Sequence, residues 1–174
     1  LMQRQRLTLL PWVEAEVKYK SAVPVYDLEV AGGGFTGFQA PKEKGWVRVQ
    51  TRRPLDKTMF VEPSVGRSME PGIPDGSFAL FRIFAAGNTP STTALDGRRV
   101  LVQLRDQADP DSGGKYTLKR WRVHRVGADG VEAIELVPDN TAHQSILLTL
   151  QNGEVRAIAE FLEVIGDVQP GQRP

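Results

Sequence analysis

Tyr116-Thr117-Leu118-Lys119-Arg120-Trp121-Arg122-Val123 alternates along its whole length. In an extended chain successive side chains point to opposite faces. Thr117, Lys119, Trp121 and Val123 therefore share one face, and Tyr116, Leu118, Arg120 and Arg122 the other. Trp121 and Val123 read as core, and Arg120 and Arg122 as the solvated side. The segment is a strand by its period, and it carries Lys119 among apolar neighbours. Such a lysine has two readings. Its stem can lie on the sheet while the amine reaches water, or the amine can be buried, which disfavours its charged form. On this strand alone the first is the commoner outcome.

Outward from this strand the chain reads as β on both sides. Strand signals cover 46–50, 59–65, 77–84, 99–104, 116–126, 131–136, 146–150 and 155–165, with an earlier one at 24–30. Turn-forming clusters separate them: Pro71 to Gly76, Gly87-Asn88, Asp96-Gly97, Asp129-Gly130, Pro138-Asp139-Asn140 and Asn152-Gly153. Many short strands divided by turn signals predict one mainly β domain. Residues 85–95 and 106–115 are long for hairpin loops, and their polar composition predicts exposed, mobile insertions. Residues 1–23 mix helical and strand spacing and are read as an arm. Ala31-Gly32-Gly33-Gly34 is free of bulky side chains, and residues 169–174 read as a frayed tail.

The chain has 174 residues, enough for one domain with a sizeable core. A formal net charge of +1 offers no strong field to nucleic acid or an anionic membrane. There is no cysteine, which excludes disulfides, zinc–thiolate sites and a thiol nucleophile. His124 and His143 match no metal-ligand spacing and read as ordinary residues. Neither a metal nor a cofactor is expected. No run approaches the roughly 18 apolar residues of a membrane span. Gln3-Arg4-Gln5-Arg6 before Leu7 to Val13 only imitates a signal peptide, since Pro11, Glu14 and Glu16 interrupt it. The expected location is the cytoplasm. Leu1 precedes Met2, so the chain is read either as starting at Met2 or as a piece of something longer.

Gly66-Arg67-Ser68-Met69-Glu70-Pro71-Gly72-Ile73-Pro74-Asp75-Gly76 follows a strand signal and turns sharply. A serine at a strand-to-turn corner is exposed, and nearby backbone N–H groups are free to face an oxyanion. The bland reading is a serine that caps a short helical turn. For an isolated Ser-x-x-Pro that reading prevails.

The two stretches together resemble a known family. Val65-Gly66-Arg67-Ser68-Met69-Glu70-Pro71 with Ile73-Pro74-Asp75-Gly76-Ser77 is similar to the serine segment of the LexA, UmuD and phage-repressor peptidase domains. Thr117-Leu118-Lys119-Arg120 is similar to their lysine segment. Asp96-Gly97-Arg98-Arg99-Val100-Leu101-Val102 between them, and Leu136-Val137-Pro138-Asp139-Asn140 and Ile158 to Gly166 after them, follow in the family's order. The resemblance covers about residues 25–166.

It implies a twisted, LexA-like or signal-peptidase-like β domain over 32–168, an N-terminal arm over 1–31 and a flexible tail over 169–174. It also implies a serine endopeptidase with a serine–lysine dyad. Ser68 would be the nucleophile and Lys119 its general base, with the backbone N–H groups of Ser68 and Arg67 holding the oxyanion. A lysine base near neutrality must release its proton at about pH 7 or 8 rather than about 10.4, a difference of roughly 4 kcal/mol. Met69 reads as packing. The family cuts its own chain at a small residue followed by glycine, which points to Ala31-Gly32, 37 residues before Ser68. The implied partners are the chain's own arm as substrate, a second copy in a homodimer through the apolar 157–165 strand, and a RecA–single-stranded-DNA filament as trigger of an SOS-like stress response. Residues before 25 hold no helix-turn-helix, so no direct DNA-binding domain is read in this chain. The departures are a long Ser68-to-Lys119 separation and the charge of Arg67 beside the nucleophile, which either repels the lysine's charge or faces solvent. A peptidase acting in trans, and a peptidase fold kept as a binding or sensing module of a larger regulatory or phage-defence protein, are the alternatives.

Overall fold

Alternating burial along the strands builds this molecule, which is mainly β. The computed structural model describes residues 6–28, 42–85, 87–151 and 153–167. Nine strands are found among them: β1 (Ala22–Asp27), β2 (Lys42–Arg48), β3 (Met59–Pro63), β4 (Ser77–Ile83), β5 (Arg99–Leu104), β6 (Tyr116–Gly127), β7 (Gly130–Val137), β8 (Ile146–Thr149) and β9 (Val155–Asp167). They form one mixed sheet in the order β2-β1-β3-β4-β9-β5-β6-β7-β8. Each pairing is antiparallel except β1 with β3, which are parallel at Val25 and Val61.

Side-chain period sorts the core into separate clusters. Met59 and Val61 of β3, with Phe78 and Leu80 of β4, pack with Val23 and Val47. Phe60, Ala79, Phe81 and Leu101 pack on the opposite side with Ile158 and Ala159. Val100, Val102 and Leu104 join Trp121, Leu136 and Leu148 in a further cluster. The inner strands β3, β4 and β5 thus bury both faces, which their continuous apolar runs require.

The N-terminal segment is packed rather than free. Leu7 and Val13 are buried, and Leu10 exchanges backbone hydrogen bonds with Trp46 at 2.8 Å in each direction. Gly45 makes this approach possible, because a Cβ there would lie 2.6 Å from the Leu10 carbonyl oxygen. The segment then enters the sheet as β1, between β2 and β3.

One expectation is corrected. The 157–165 stretch was expected to be an edge for a homodimer, but it lies in β9, whose first half pairs with β5 and whose second half pairs with β4. The outer strands of the sheet are β2 and β8. The 106–115 loop is exposed along most of its length, as expected, and Asp109 is its one buried residue. The described residues of the 85–95 loop are likewise mostly exposed, and the loop ends on Leu95, which is buried. Of the early strand expected over 24–30, residues up to Asp27 are strand, while Glu29 and Val30 lie outside the described residues, as do Ala31, Gly32 and the tail from 168. No helix among the described residues is long and apolar enough to cross a membrane.

Candidate active site

β6 delivers the lysine. Its burial alternates from Tyr116 onward, with Thr117, Lys119 and Trp121 buried and Leu118 and Arg120 only partly so. Lys119 is 1 % exposed, so the stem does not carry the amine to water. The bland reading of this residue is excluded by its depth.

The hairpin between β3 and β4 delivers the serine. Ser64 and Ser77 pinch the loop shut, through Ser64 N–H to the Ser77 carbonyl at 2.7 Å and Gly76 N–H to the Ser64 carbonyl at 2.8 Å. Gly66 turns the chain with φ of 89°, a value that side-chain-bearing residues rarely adopt, and its N–H donates to Asp75 Oδ1 at 3.0 Å. Met69 and Ile73 are buried and anchor the turn to the core, which agrees with a packing role for Met69. Ser68 directly precedes Met69 and is itself buried. Arg67 points away: it is mostly exposed and pairs with Glu70 at 2.9 Å. Of the two readings of Arg67, the solvent-facing one is the one its exposure supports.

The two segments meet. Lys119 Nζ lies 2.8 Å from Ser68 Oγ, across 51 positions of sequence. The same nitrogen lies 2.9 Å from Thr117 Oγ1 and 2.9 Å from Asp109 Oδ2. Thr117 Oγ1 in turn donates to Asp109 Oδ2. Burial alone would push the Asp109 carboxyl up. Hydrogen bonds from Thr117, the Asp111 N–H and Lys119, with the charge of Lys119, outweigh it and hold its pKa below the ordinary value.

Asp109 was not singled out from the sequence. Its acidic character and its place ten residues before Lys119 were visible, but only the folded loop turns it inward. Asp111 and His143 were missed for the same reason. Asp111 Oδ2 is 3.8 Å from Lys119 Nζ, and His143 Nδ1 is 2.6 Å from Asp111 Oδ1. His124 keeps its ordinary reading, half-exposed and 3.8 Å from Glu135.

A second set of contacts fixes the serine turn from behind. Asn140 N–H donates to the Ser68 carbonyl at 2.9 Å, and Asn140 Nδ2 donates to the Arg67 carbonyl at 3.0 Å. Its neighbour Asp139 accepts from Arg99 Nε at 2.8 Å and from Arg120 Nε at 2.9 Å. Arg99 and Arg120 are paired across β5 and β6, so without Asp139 two like charges would face each other. Burial pushes the Asp139 carboxyl up, but the hydrogen bonds and charges of Arg120 and Arg99 overcome this and lower its pKa. The N–H groups of Arg67 and Ser68 donate to no acceptor among the described residues.

Ser68 opens on a cleft of about 550 Å³. Phe81, Leu101 and Leu118 give it an apolar wall, and Leu28 of the N-terminal segment lines it too. The volume is that of a pocket for a short peptide or a small molecule. The arrangement is an alcohol in hydrogen-bond contact with a buried amine at the base of an open, largely apolar cleft. Compared with protein-family models and with curated proteins, the chain finds no match.

Proposed function

We propose that this protein is a serine endopeptidase of the LexA/UmuD type, with Ser68 as nucleophile and Lys119 as general base. The observation that carries the reading is the 2.8 Å contact between Ser68 Oγ and a fully buried Lys119 Nζ beside a peptide-sized cleft. Nucleophile–base pairs operate at about 2.6–3.2 Å.

The hydrogen-bond count suits this chemistry. A neutral lysine amine has two N–H donors and one lone pair. Thr117 Oγ1 and Asp109 Oδ2 take the donors, which leaves the lone pair for the Ser68 hydroxyl proton. As Oγ forms its bond to the substrate carbonyl carbon, that proton passes to Nζ, and the carbonyl π pair moves onto oxygen. The N–H groups of Ser68 and Arg67 are free to hold this oxyanion. Asp109 faces the new ammonium. Breaking the C–N bond then releases an amine that takes the proton back from Nζ. Water, deprotonated by the same nitrogen, adds to the ester, and Oγ leaves with the returning proton.

The proposed substrate is the chain's own Ala31-Gly32 bond. It lies outside the described residues, but Leu28 lines the cleft and Ala31 is three residues further on, within a reach of about 11 Å. Regulation by a RecA–DNA filament in an SOS-like response, a cytoplasmic location and a homodimer belong to the same reading, with the dimer contact placed elsewhere than an edge at 157–165.

One observation favours a second reading. Asp109 at 2.9 Å from Nζ favours an ammonium, which accepts no proton, and a site locked in that form would be a binding or sensing module with little turnover. Incubation of the full chain from about pH 7 to about pH 10 separates the two, since only deprotonation of the amine arms the base. A peptidase yields fragments 1–31 and 32–174 faster as pH rises. Ser68→Ala and Lys119→Ala each slow this by at least about 10³-fold. Cleavage rates that do not change with dilution identify a cis reaction. An intact chain at every pH, with cooperative unfolding retained, would defeat the peptidase reading, as would either variant cutting at the parent rate.

A further inference from the structure

The residues that face Lys119 imply a regulatory property of the same site, and the inference rests on the Ser68–Lys119 reading. We propose that Asp109, seconded by Asp111, restrains the base: the two carboxylates hold Lys119 as an ammonium, so Ser68 idles at neutral pH and becomes reactive only in alkaline conditions.

Geometry carries the inference. An ammonium has three protons, and Nζ has three acceptors at hydrogen-bond distance: Ser68 Oγ at 2.8 Å, Asp109 Oδ2 at 2.9 Å and Thr117 Oγ1 at 2.9 Å. The protonated amine is therefore fully satisfied in this arrangement. The neutral amine also fills its contacts but gives up the attraction of the carboxylate. Asp109 is 3 % exposed, and a buried carboxylate left without its counter-ion is strongly disfavoured. Loss of the lysine proton is thereby tied to exposure of an uncompensated charge on Asp109.

The other groups around the amine point the same way. Asp111 Oδ2 stands 3.8 Å off, with its side chain 17 % exposed. His143 lies behind Asp111 and contacts its other oxygen, so it modulates that carboxylate and not the amine directly. Val100 of β5 pairs with Lys119 from the neighbouring strand and is apolar. Arg67 is turned to Glu70. The charges that face Nζ are thus both negative. Asp109 acts through Lys119 and is a positioning residue rather than a catalytic one.

The test reads the nucleophile without needing a peptide substrate. Full-length protein is treated with a fluorophosphonate probe from about pH 6 to about pH 10.5, and modification of Ser68 is followed by mass spectrometry. The parent is expected to label slowly at pH 7.5 and faster as pH rises, with Lys119→Ala abolishing the labelling. Asp109→Asn removes the charge and keeps one of the two acceptor oxygens, either the one facing Asp111 N–H or the one facing Thr117 and Lys119. Its half-maximal labelling is expected at least one pH unit lower, with roughly tenfold faster labelling at pH 7.5. Asp111→Asn should shift in the same direction by less, and it decides the matter if Asp109→Asn fails to fold in a thermal melt. Profiles of both variants that coincide with the parent's, or that move to higher pH, overturn the restraint while leaving the dyad standing. Absence of Ser68 labelling in the parent at every pH overturns the dyad and the restraint together.

Discussion

Lys119 and Asp109 are 1 % and 3 % exposed and face each other at 2.9 Å, which makes each the condition for the other's burial. Removing one partner of a buried pair leaves an uncompensated charge and costs about 3–5 kcal/mol. Lys119→Met is expected to destabilise by about that amount, although methionine fills much of the same volume. Adding Asp109→Asn should recover more than half of the loss, because the remaining amide is neutral. Denaturant unfolding of the two single variants and the double gives the coupling directly. A double variant no more stable than Lys119→Met would show that the pair is not energetically linked. This result does not depend on any activity, so it tests the geometry alone.

At the level of elements, the serine turn is held by the 138–140 turn between β7 and β8, which is itself held by β5 and β6. Arg99 and Arg120 grip Asp139, and Asn140 grips the carbonyls of Arg67 and Ser68. Ser68 is therefore registered to the same strand that carries Lys119, through a chain of three hydrogen-bonded elements. Asn140→Ala removes the side-chain tie to Arg67 and the bond that Asn140 Oδ1 accepts from Ala142 N–H, and the backbone bond to Ser68 remains. Its stability should fall by about 1 kcal/mol. Its Ser68 labelling should fall about tenfold or more, since small displacements at a reacting atom are costly to rate. Measuring the melt and the labelling rate on one sample separates the two effects. A loss of labelling no larger than the loss of folded fraction would count against a positioning role.

For the molecule as a whole, one buried and one part-buried carboxyl set a common acid limit. Asp109 and Asp139 are both held below the ordinary value of 3.8 in the folded state. The unfolded chain then binds more protons than the folded one in acid, and stability falls as pH falls. The contribution of these groups is fully present above about pH 4 and is lost as pH drops through their lowered folded values. The melting temperature is expected to be flat from about pH 7 to about pH 5 on their account and to fall steeply below pH 4. In Asp139→Asn and Asp109→Asn that fall should be shallower. An acid limb equally steep in both variants would assign the acid sensitivity to other groups.

Much of this protein was legible in one dimension. Period-two burial is a local property, and the strands from Met59 onward begin and end within about two residues of where alternation and turn chemistry place them. Ser68 and Lys119 were singled out by the resemblance of their two segments to one family, since each local setting alone, a glycine-led turn and an amphipathic strand, favoured the bland reading. Strand order was not legible, because pairing depends on surfaces far apart in the chain: the apolar 157–165 stretch reads the same whether it lies at an edge or between β4 and β5. Within 106–115 Asp109 was also misread, since Asp-Pro-Asp-Ser-Gly-Gly is what a solvated loop looks like. Amino-acid sequence by itself determined the β class and the strand boundaries from Met59 onward, and it singled out Ser68 and Lys119. Only the tertiary structure decided that Asp109 turns inward beside Lys119, because burying a carboxylate is tolerable only where a cation and hydrogen-bond donors from other segments already wait for it.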